Sequence, residues 1–169
     1  MKYKKDQLKN EKILYNPLDM IEDMIIVNNW EYDRRAEENL YVEVGGEWCD
    51  YQLSFSHSSE LSLLQISCAY DIRIPDNKVE KVYPLLAKMN ESLLIGHFEI
   101  WGKEGWPMYR HSLPVPVDKY LCIKQIEDIS LSSIQECDRY YPAFQYVAWG
   151  GKSANEAMSH TMLKTDGEA

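Results

Sequence analysis

Apolar and polar residues alternate along the middle of the chain with the period of two that is typical of β-strands. The alternation is clearest over residues 49–55 and 64–72, and shorter alternating segments cover residues 30–36 and 40–44. The pair Gly45-Gly46 follows and predicts a tight hairpin turn. One apolar and one polar face per strand predicts an antiparallel sheet that is covered on one side and wet on the other.

Residues 96–113 are predicted to form a further β-hairpin. Their two runs, 97–101 and 107–113, flank a turn that holds two glycines, which take positive φ at no steric cost. Trp101 and Trp106 stand on either side of this turn. The pattern does not decide which sheet face the residues of the second run take.

Two segments with the helical period of 3.6 flank the first predicted strands. Asn16-Pro17 begins the first helix, since asparagine is a preferred N-cap and proline suits the first turn, and the helix is expected to end near Asn28. Pro75-Asp76 begins the second helix, whose apolar residues form one stripe that would cover the sheet. Pro84 lies inside this stripe and is expected to kink the helix or to displace its start.

A third helix is predicted from Asp118, with an interruption at Pro142 and an end at Gly150-Gly151. Ser153 and Glu156 fit a capping box, which predicts a last short helix. The predicted order of elements is α-β-β-β-β-α-β-β-α-α. The fold class is therefore α+β, with an antiparallel sheet of about five or six strands covered by helices.

The chain of 169 residues is long enough for one domain with a substantial core. We expect a lysine-rich charged tail over residues 1–15, a single domain over residues 16–165 and a frayed C-terminus over residues 166–169. The net charge of −9 argues against a surface that follows nucleic-acid phosphates. No apolar run approaches the roughly 18–20 residues of a membrane span, and no signal peptide is recognised. We expect a cytoplasmic protein that binds neither nucleic acid nor membrane.

The four cysteines form no C-x-x-C pair, and no disulfides are expected. A nucleophile pair of Cys68 with His97 on adjacent strands is conceivable. Cys68, however, lies in an apolar row, where a thiol has a raised pKa and little reactivity. We predict no catalytic residue and no cofactor. A metal site at His97 and His111 would need further ligands, and nothing in the sequence fixes the direction of the nearby Glu99 and Glu104, so no metal is predicted either.

Two further polar patterns bear on possible chemistry. Residues 151–153 read G-K-S, but a phosphate-binding loop needs glycine where Tyr146 stands, so a helix end followed by a helix cap is the better interpretation. His97, Arg110 and His111 form the one clustered polar set of the predicted hairpin. They are the candidate lining of a small-molecule pocket, which is the alternative function.

Aromatic residues are in surplus, with 12 tyrosines and 5 tryptophans. About half of them are needed to pack helices on the sheet. Tyrosine and tryptophan are also enriched where proteins meet, and the candidates for contact with a partner are Trp101, Trp106, Tyr140, Tyr141 and Trp149. The two interpretations stay open for these residues.

Five segments carry a resemblance to a known family: NPLD at 16–19, WCDYQL at 48–53, GHFEIW at 96–101, RYYPAFQ at 139–145 and WGGKS at 149–153. Together they resemble the YbjN family in its alphaproteobacterial form, over residues 16–169. That family is assigned to sensory transduction regulation, and its domain is similar in fold to type III secretion chaperones. The resemblance implies a homodimeric, regulatory or chaperone-like protein that binds another polypeptide and does no chemistry. It supplies no catalytic residues to transfer.

Overall fold

The computed structural model describes residues 16–115 and 121–165. Its elements are α1 (Pro17–Val27), β1 (Glu31–Ala36), β2 (Asn39–Gly45), β3 (Asp50–Ser58), β4 (Leu63–Tyr70), α2 (Asp76–Ser92), β5 (His97–Trp101), β6 (Trp106–Pro114), α3 (Ile123–Ala148) and α4 (Ala154–Thr165). A single 3₁₀ turn, Gly102–Glu104, joins β5 to β6. The predicted order of helices and strands is confirmed.

The six strands form one antiparallel sheet in the order β1-β2-β3-β4-β6-β5. Its apolar face carries buried side chains from alternate residues of β2, β3 and β4, and the helices α1, α2 and α3 pack there. Helix α4 packs on α2 and α3. The opposite face carries mostly polar residues, with some apolar and aromatic ones among them, and no helix from the described part of the chain. We call it the open face.

Local signals in the sequence set several helix boundaries. The Asn16 side chain accepts a hydrogen bond from the Leu18 N–H at 3.0 Å and caps α1. Helix α2 begins at Asp76, so Pro84 does not displace its start. At α4, the Ser153 N–H donates to the Glu156 carboxylate at 2.9 Å, and the Ser153 hydroxyl accepts from the Glu156 N–H at 3.3 Å. The predicted capping box is confirmed.

The predicted start of the third helix is wrong. Asp118 itself lies outside the described residues, but Leu121 and Cys122 precede the helix, which begins at Ile123. Cys122 is the N-cap residue and has extended backbone angles, φ −76° and ψ 109°, so the helix does not reach further toward the N-terminus.

The predicted interruption at Pro142 is also wrong, because α3 continues to Ala148. A proline lacks the N–H that would bond the carbonyl four residues earlier, which is that of Asp138. That carbonyl accepts a hydrogen bond from Trp48 Nε1 at 2.9 Å instead. Since a side chain of the β2–β3 connection satisfies the freed acceptor, the helix tolerates the proline.

We expect Trp48→Phe to lower the free energy of unfolding by about 1 kcal/mol, since it removes this donor and keeps a ring beside Tyr141. In a Pro142→Ala background, residue 142 regains its N–H and can bond the Asp138 carbonyl. In that background, Trp48→Phe is therefore expected to lower the free energy of unfolding by a smaller amount. Urea denaturation of the four proteins of this double-mutant cycle measures the difference, and equal losses in both backgrounds would contradict the pairing.

Candidate partner-binding site

The β5–β6 hairpin places two tryptophans side by side on the open face. Trp101 pairs directly with Trp106 across the turn, so both side chains lie on the same face. Phe98 and Tyr109, another direct pair of this hairpin, point to the other face of the sheet and are buried under the helices. Trp101 is 45% exposed and Trp106 is 41% exposed.

Charged residues of the hairpin surround the Trp101 ring. Arg110 lies over that ring at 5.2 Å from its centroid and forms an ion pair with Glu99. His97 pairs with Arg110 in the register, and its Nε2 lies 3.6 Å from Glu99 Oε2. Burial lowers the pKa of Arg110 and of His97, and the positive Arg110 lowers the pKa of His97 further. The ordinary pKa of histidine is about 6.5, so His97 is neutral at pH 7 and Arg110 keeps its charge.

A groove of ≈ 510 Å³ runs from Trp106 across the open face toward β2. Its floor includes Ala69 and Gln52, and its rim carries the carboxylates of Glu43, Asp50 and Asp71. From the sequence pattern, charged strand residues such as Asp50 and Asp71 are expected only to lie on the solvent-exposed face of the sheet. Their grouping beside a tryptophan was missed, since it depends on the strand order.

The structure separates the three residues that were candidates for a small-molecule pocket. His97 and Arg110 lie together on the open face. His111 pairs with the buried Ile66 and therefore lies on the helix-covered face, where burial lowers its pKa. The groove beside Trp106 is lined by none of the three. His111 therefore lies on the other side of the sheet from His97 and Arg110.

The five aromatic candidates for partner contact do not form one surface. Tyr140 is 1% exposed and belongs to the core, so a partner cannot reach it. Tyr141 is half-buried and stacks on Trp48, with ring centroids 6.1 Å apart. Trp149 is 47% exposed but follows α3, in the helix layer behind the sheet. Trp101 and Trp106 remain as the exposed pair.

The edges of the sheet are less accessible than its open face. At the β5 edge, the Asn90 amide donates to the Phe98 carbonyl at 3.0 Å and accepts from the Phe98 N–H at 2.7 Å. At the other edge, β1 has charged, exposed side chains and an irregular register between Asp33 and Ala36. Blocked, charged or bulged edges resist the addition of another strand. Contact with a partner is therefore better placed on the open face.

The nucleophile pair of Cys68 and His97 is ruled out by the topology. Strand β6 lies between their strands, and Cys68 is buried on the helix-covered face while His97 lies on the open face. Within residues 16–115 and 121–165, no group of three His, Cys, Asp or Glu side chains is placed to hold a metal ion. In the same part of the chain, no helix is long and apolar enough to cross a membrane.

Comparison with known proteins places this fold. The profile of the YbjN family, described as "Putative bacterial sensory transduction regulator", matches residues 17–146. The crystal structure of YbjN from E. coli, described as "a putative transcription regulator", is similar with a TM-score of 0.51 and 13% identity, over 72% of this chain and 85% of that one. At this identity the similarity shows a shared fold alone. No curated protein matches the sequence. Since the family profile covers most of the sequence, from α1 into α3, this chain belongs to the YbjN family.

Proposed function

We propose that this chain is a non-catalytic regulatory protein that binds another polypeptide through the open face of its sheet, at the β5–β6 hairpin. The observation that carries the proposal is the exposure of Trp101 and Trp106 beside each other on a face that no described helix covers. Tryptophan is the residue type most enriched at the energetic centres of protein interfaces. A role in sensory transduction, as the family description states, fits a protein that acts by contact with a partner.

Two contacts hold the hairpin and its rings in place. The Gly105 carbonyl at the turn accepts a hydrogen bond from the Ile74 N–H at 2.8 Å, which ties the turn to the segment before α2. Arg110 holds one face of the Trp101 ring. A surface that is ordered before binding loses less entropy when it binds.

Other parts of the resemblance stay predictions. A homodimer, a chaperone-like activity and a cytoplasmic location are implied by the family likeness, and measurements of mass in solution and of cellular location would test them. The alternative function, a small-molecule sensor or enzyme near residues 96–113, has less support because His97 and His111 lie on opposite sheet faces.

We expect a polypeptide captured by the wild-type chain from a lysate of its own cells to be lost with the Trp101→Ala/Trp106→Ala variant. A tryptophan at the centre of an interface contributes about 2 kcal/mol or more, which corresponds to about 30-fold in affinity. Trp149→Ala is the matched control, since Trp149 is similarly exposed but lies in the helix layer. Quantitative affinity capture with mass spectrometry measures the retention, and circular dichroism verifies that each variant is folded.

The proposal fails if the double variant and Trp149→Ala retain the same polypeptides as the wild type. It also fails if no polypeptide is enriched over a bead-only control. Loss with Trp149→Ala alone would move the contact to the helix layer.

A further inference from the structure

The groove beside Trp106 has an excess of negative charge that the protein does not neutralise. Glu43, Asp50 and Asp71 line it, and none of the three forms an ion pair with a cation in the described part of the chain. Arg73 also lines the groove, and its guanidinium lies 3.8 Å from Asp76, so the lining holds three carboxylates and one guanidinium. The rim is therefore anionic.

Like charges face each other next to this rim, across β1 and β2. Glu31 of β1 lies directly opposite Glu43 of β2 on the open face. Asp50 is the first residue of β3 and Asp71 follows β4, each next to the directly paired Tyr51 and Tyr70, so both lie at the same end of the sheet. Directly opposed like charges destabilise a sheet. The opposed pair of Glu31 and Glu43 carries this cost on the open face, and a cation from outside would relieve it.

The charges on either side of the groove are neutralised within the protein. Asp33 pairs with Arg35 at 2.8 Å, and Glu99 pairs with Arg110. On the open face, the carboxylates without an ion pair thus lie between these pairs, from β1 to the residue after β4. Trp106 stands at the end of this strip, with an exposed ring.

The hairpin already holds one cation on a tryptophan ring. The guanidinium of Arg110 lies over Trp101, which pairs with Trp106 across the turn. Cations are attracted to the face of an indole ring, and tryptophan is the best aromatic partner for them. Trp106 and the carboxylates next to it offer the same two attractions to a cation from another molecule.

We propose that this groove binds a basic segment of the partner polypeptide, in extended form, with a lysine or arginine side chain on the Trp106 ring and further basic side chains along Glu43, Asp50 and Asp71. The segment crosses the open face from Trp106 toward Glu31. Four strand spacings of about 4.8 Å separate the strands of these residues, which makes about 19 Å, the length of roughly six extended residues. The inference rests on the proposed function and adds the chemical class of the partner.

Selection of random 12-residue peptides displayed on phage against the immobilised full chain tests this inference. We expect the enriched peptides to carry more lysine and arginine than the starting library. Their synthetic versions should bind about threefold to tenfold more weakly to Glu43→Gln/Asp71→Gln. They should also bind more weakly to Trp106→Ala, and more weakly to the wild type as NaCl is raised from about 50 mM to about 500 mM. Glu80→Gln/Glu91→Gln, which removes two exposed carboxylates of α2, is the matched control and should bind like the wild type.

The other outcomes separate this inference from the function on which it rests. Peptides that depend on Trp101 and Trp106 but show no excess of lysine and arginine would overturn the inference and leave the proposed function standing. Peptides that bind the Trp101→Ala/Trp106→Ala variant as well as the wild type, or no enriched peptides at all, would contradict the proposal that the open face is the binding surface. Displacement of bound peptide by spermine or Mg²⁺ below the concentration at which NaCl of equal ionic strength acts would identify a site for small cations and overturn the assignment to a polypeptide.

Discussion

Gly96→Ala is expected to lower the free energy of unfolding by about 3 kcal/mol, through backbone strain and a steric clash together. Gly96 has φ +67°, and an added Cβ would lie 2.1 Å from the Tyr109 hydroxyl oxygen and 2.2 Å from its ring carbon Cζ. The Tyr109 ring has no free space to retreat, because it is fully buried and packs edge-on against Phe98 with centroids 5.5 Å apart. Its hydroxyl also donates to the Ile95 carbonyl at 2.9 Å. Urea denaturation measures the loss.

Gly102→Ala separates the two causes of this loss. Gly102 also has positive φ, at +50°, but an added Cβ there would have no neighbour within 4 Å. Only the cost of the left-handed backbone should remain, about 1 to 2 kcal/mol. If both substitutions cost the same, the close approach of Tyr109 to Gly96 adds nothing to the backbone strain.

The hairpin shows how far local pattern determines the fold. The period of two was sufficient to predict the strands of residues 97–101 and 107–113, and their turn, from the residue types alone. The face of each residue in the second strand needed the register across the turn. That register pairs Trp101 with Trp106, so the tryptophans face away from the helices. The number of residues in the turn decides which residues of the second strand face the helices. Glycines allow turns of several lengths, so the residue types do not determine this number.

The error at Pro142 in α3 arises from a contact that is distant in sequence. Proline was expected to interrupt the helix, because the local rule counts only the hydrogen bond that the residue itself loses. Trp48, which supplies the replacement donor, is separated from Asp138 by 90 positions in the sequence. No window of helical length contains both residues, so propensity and periodicity cannot include the compensation.

The candidate site was predictable in its residues but not in its grouping. Trp101 and Trp106 were identified as surface candidates from their place beside a turn. Glu43, Asp50 and Asp71 come from separate strands, and they meet Trp106 only because β6 pairs with β4. Strand order in a sheet depends on long-range pairing, and the alternation along a single strand contains no information on which strands pair. Tyr140 and Tyr141 illustrate the same limit, since one turn of helix α3 buries the first ring and leaves the second half-exposed.

Asp138→Ala is expected to lower the free energy of unfolding by about 3 kcal/mol, because two donors lose a charged acceptor at once. Asp138 Oδ1 accepts hydrogen bonds from the Glu47 N–H at 2.6 Å and from the Tyr51 hydroxyl at 2.7 Å. The Tyr51 side chain is fully buried, so its hydroxyl cannot turn to water when the carboxylate is removed. Burial, and then the hydrogen bond to Asp138, raise the pKa of Tyr51, which keeps the phenol protonated as a donor through neutral pH.

Two matched variants identify the source of this loss. Asp128→Ala removes an exposed carboxylate of the same helix. Among the described residues it pairs with Lys124 alone, at 2.7 Å, and its loss should lower the free energy of unfolding by at most about 1 kcal/mol. In a Tyr51→Phe background, Asp138→Ala no longer leaves a buried hydroxyl without a partner, and roughly half of its cost should disappear. Denaturant midpoints of the single and double variants measure both effects. If Asp138→Ala costs as much in the Tyr51→Phe background as in the wild type, the carboxylate stabilises the fold through the Glu47 backbone alone, and α3 is not joined to β3 through the tyrosine.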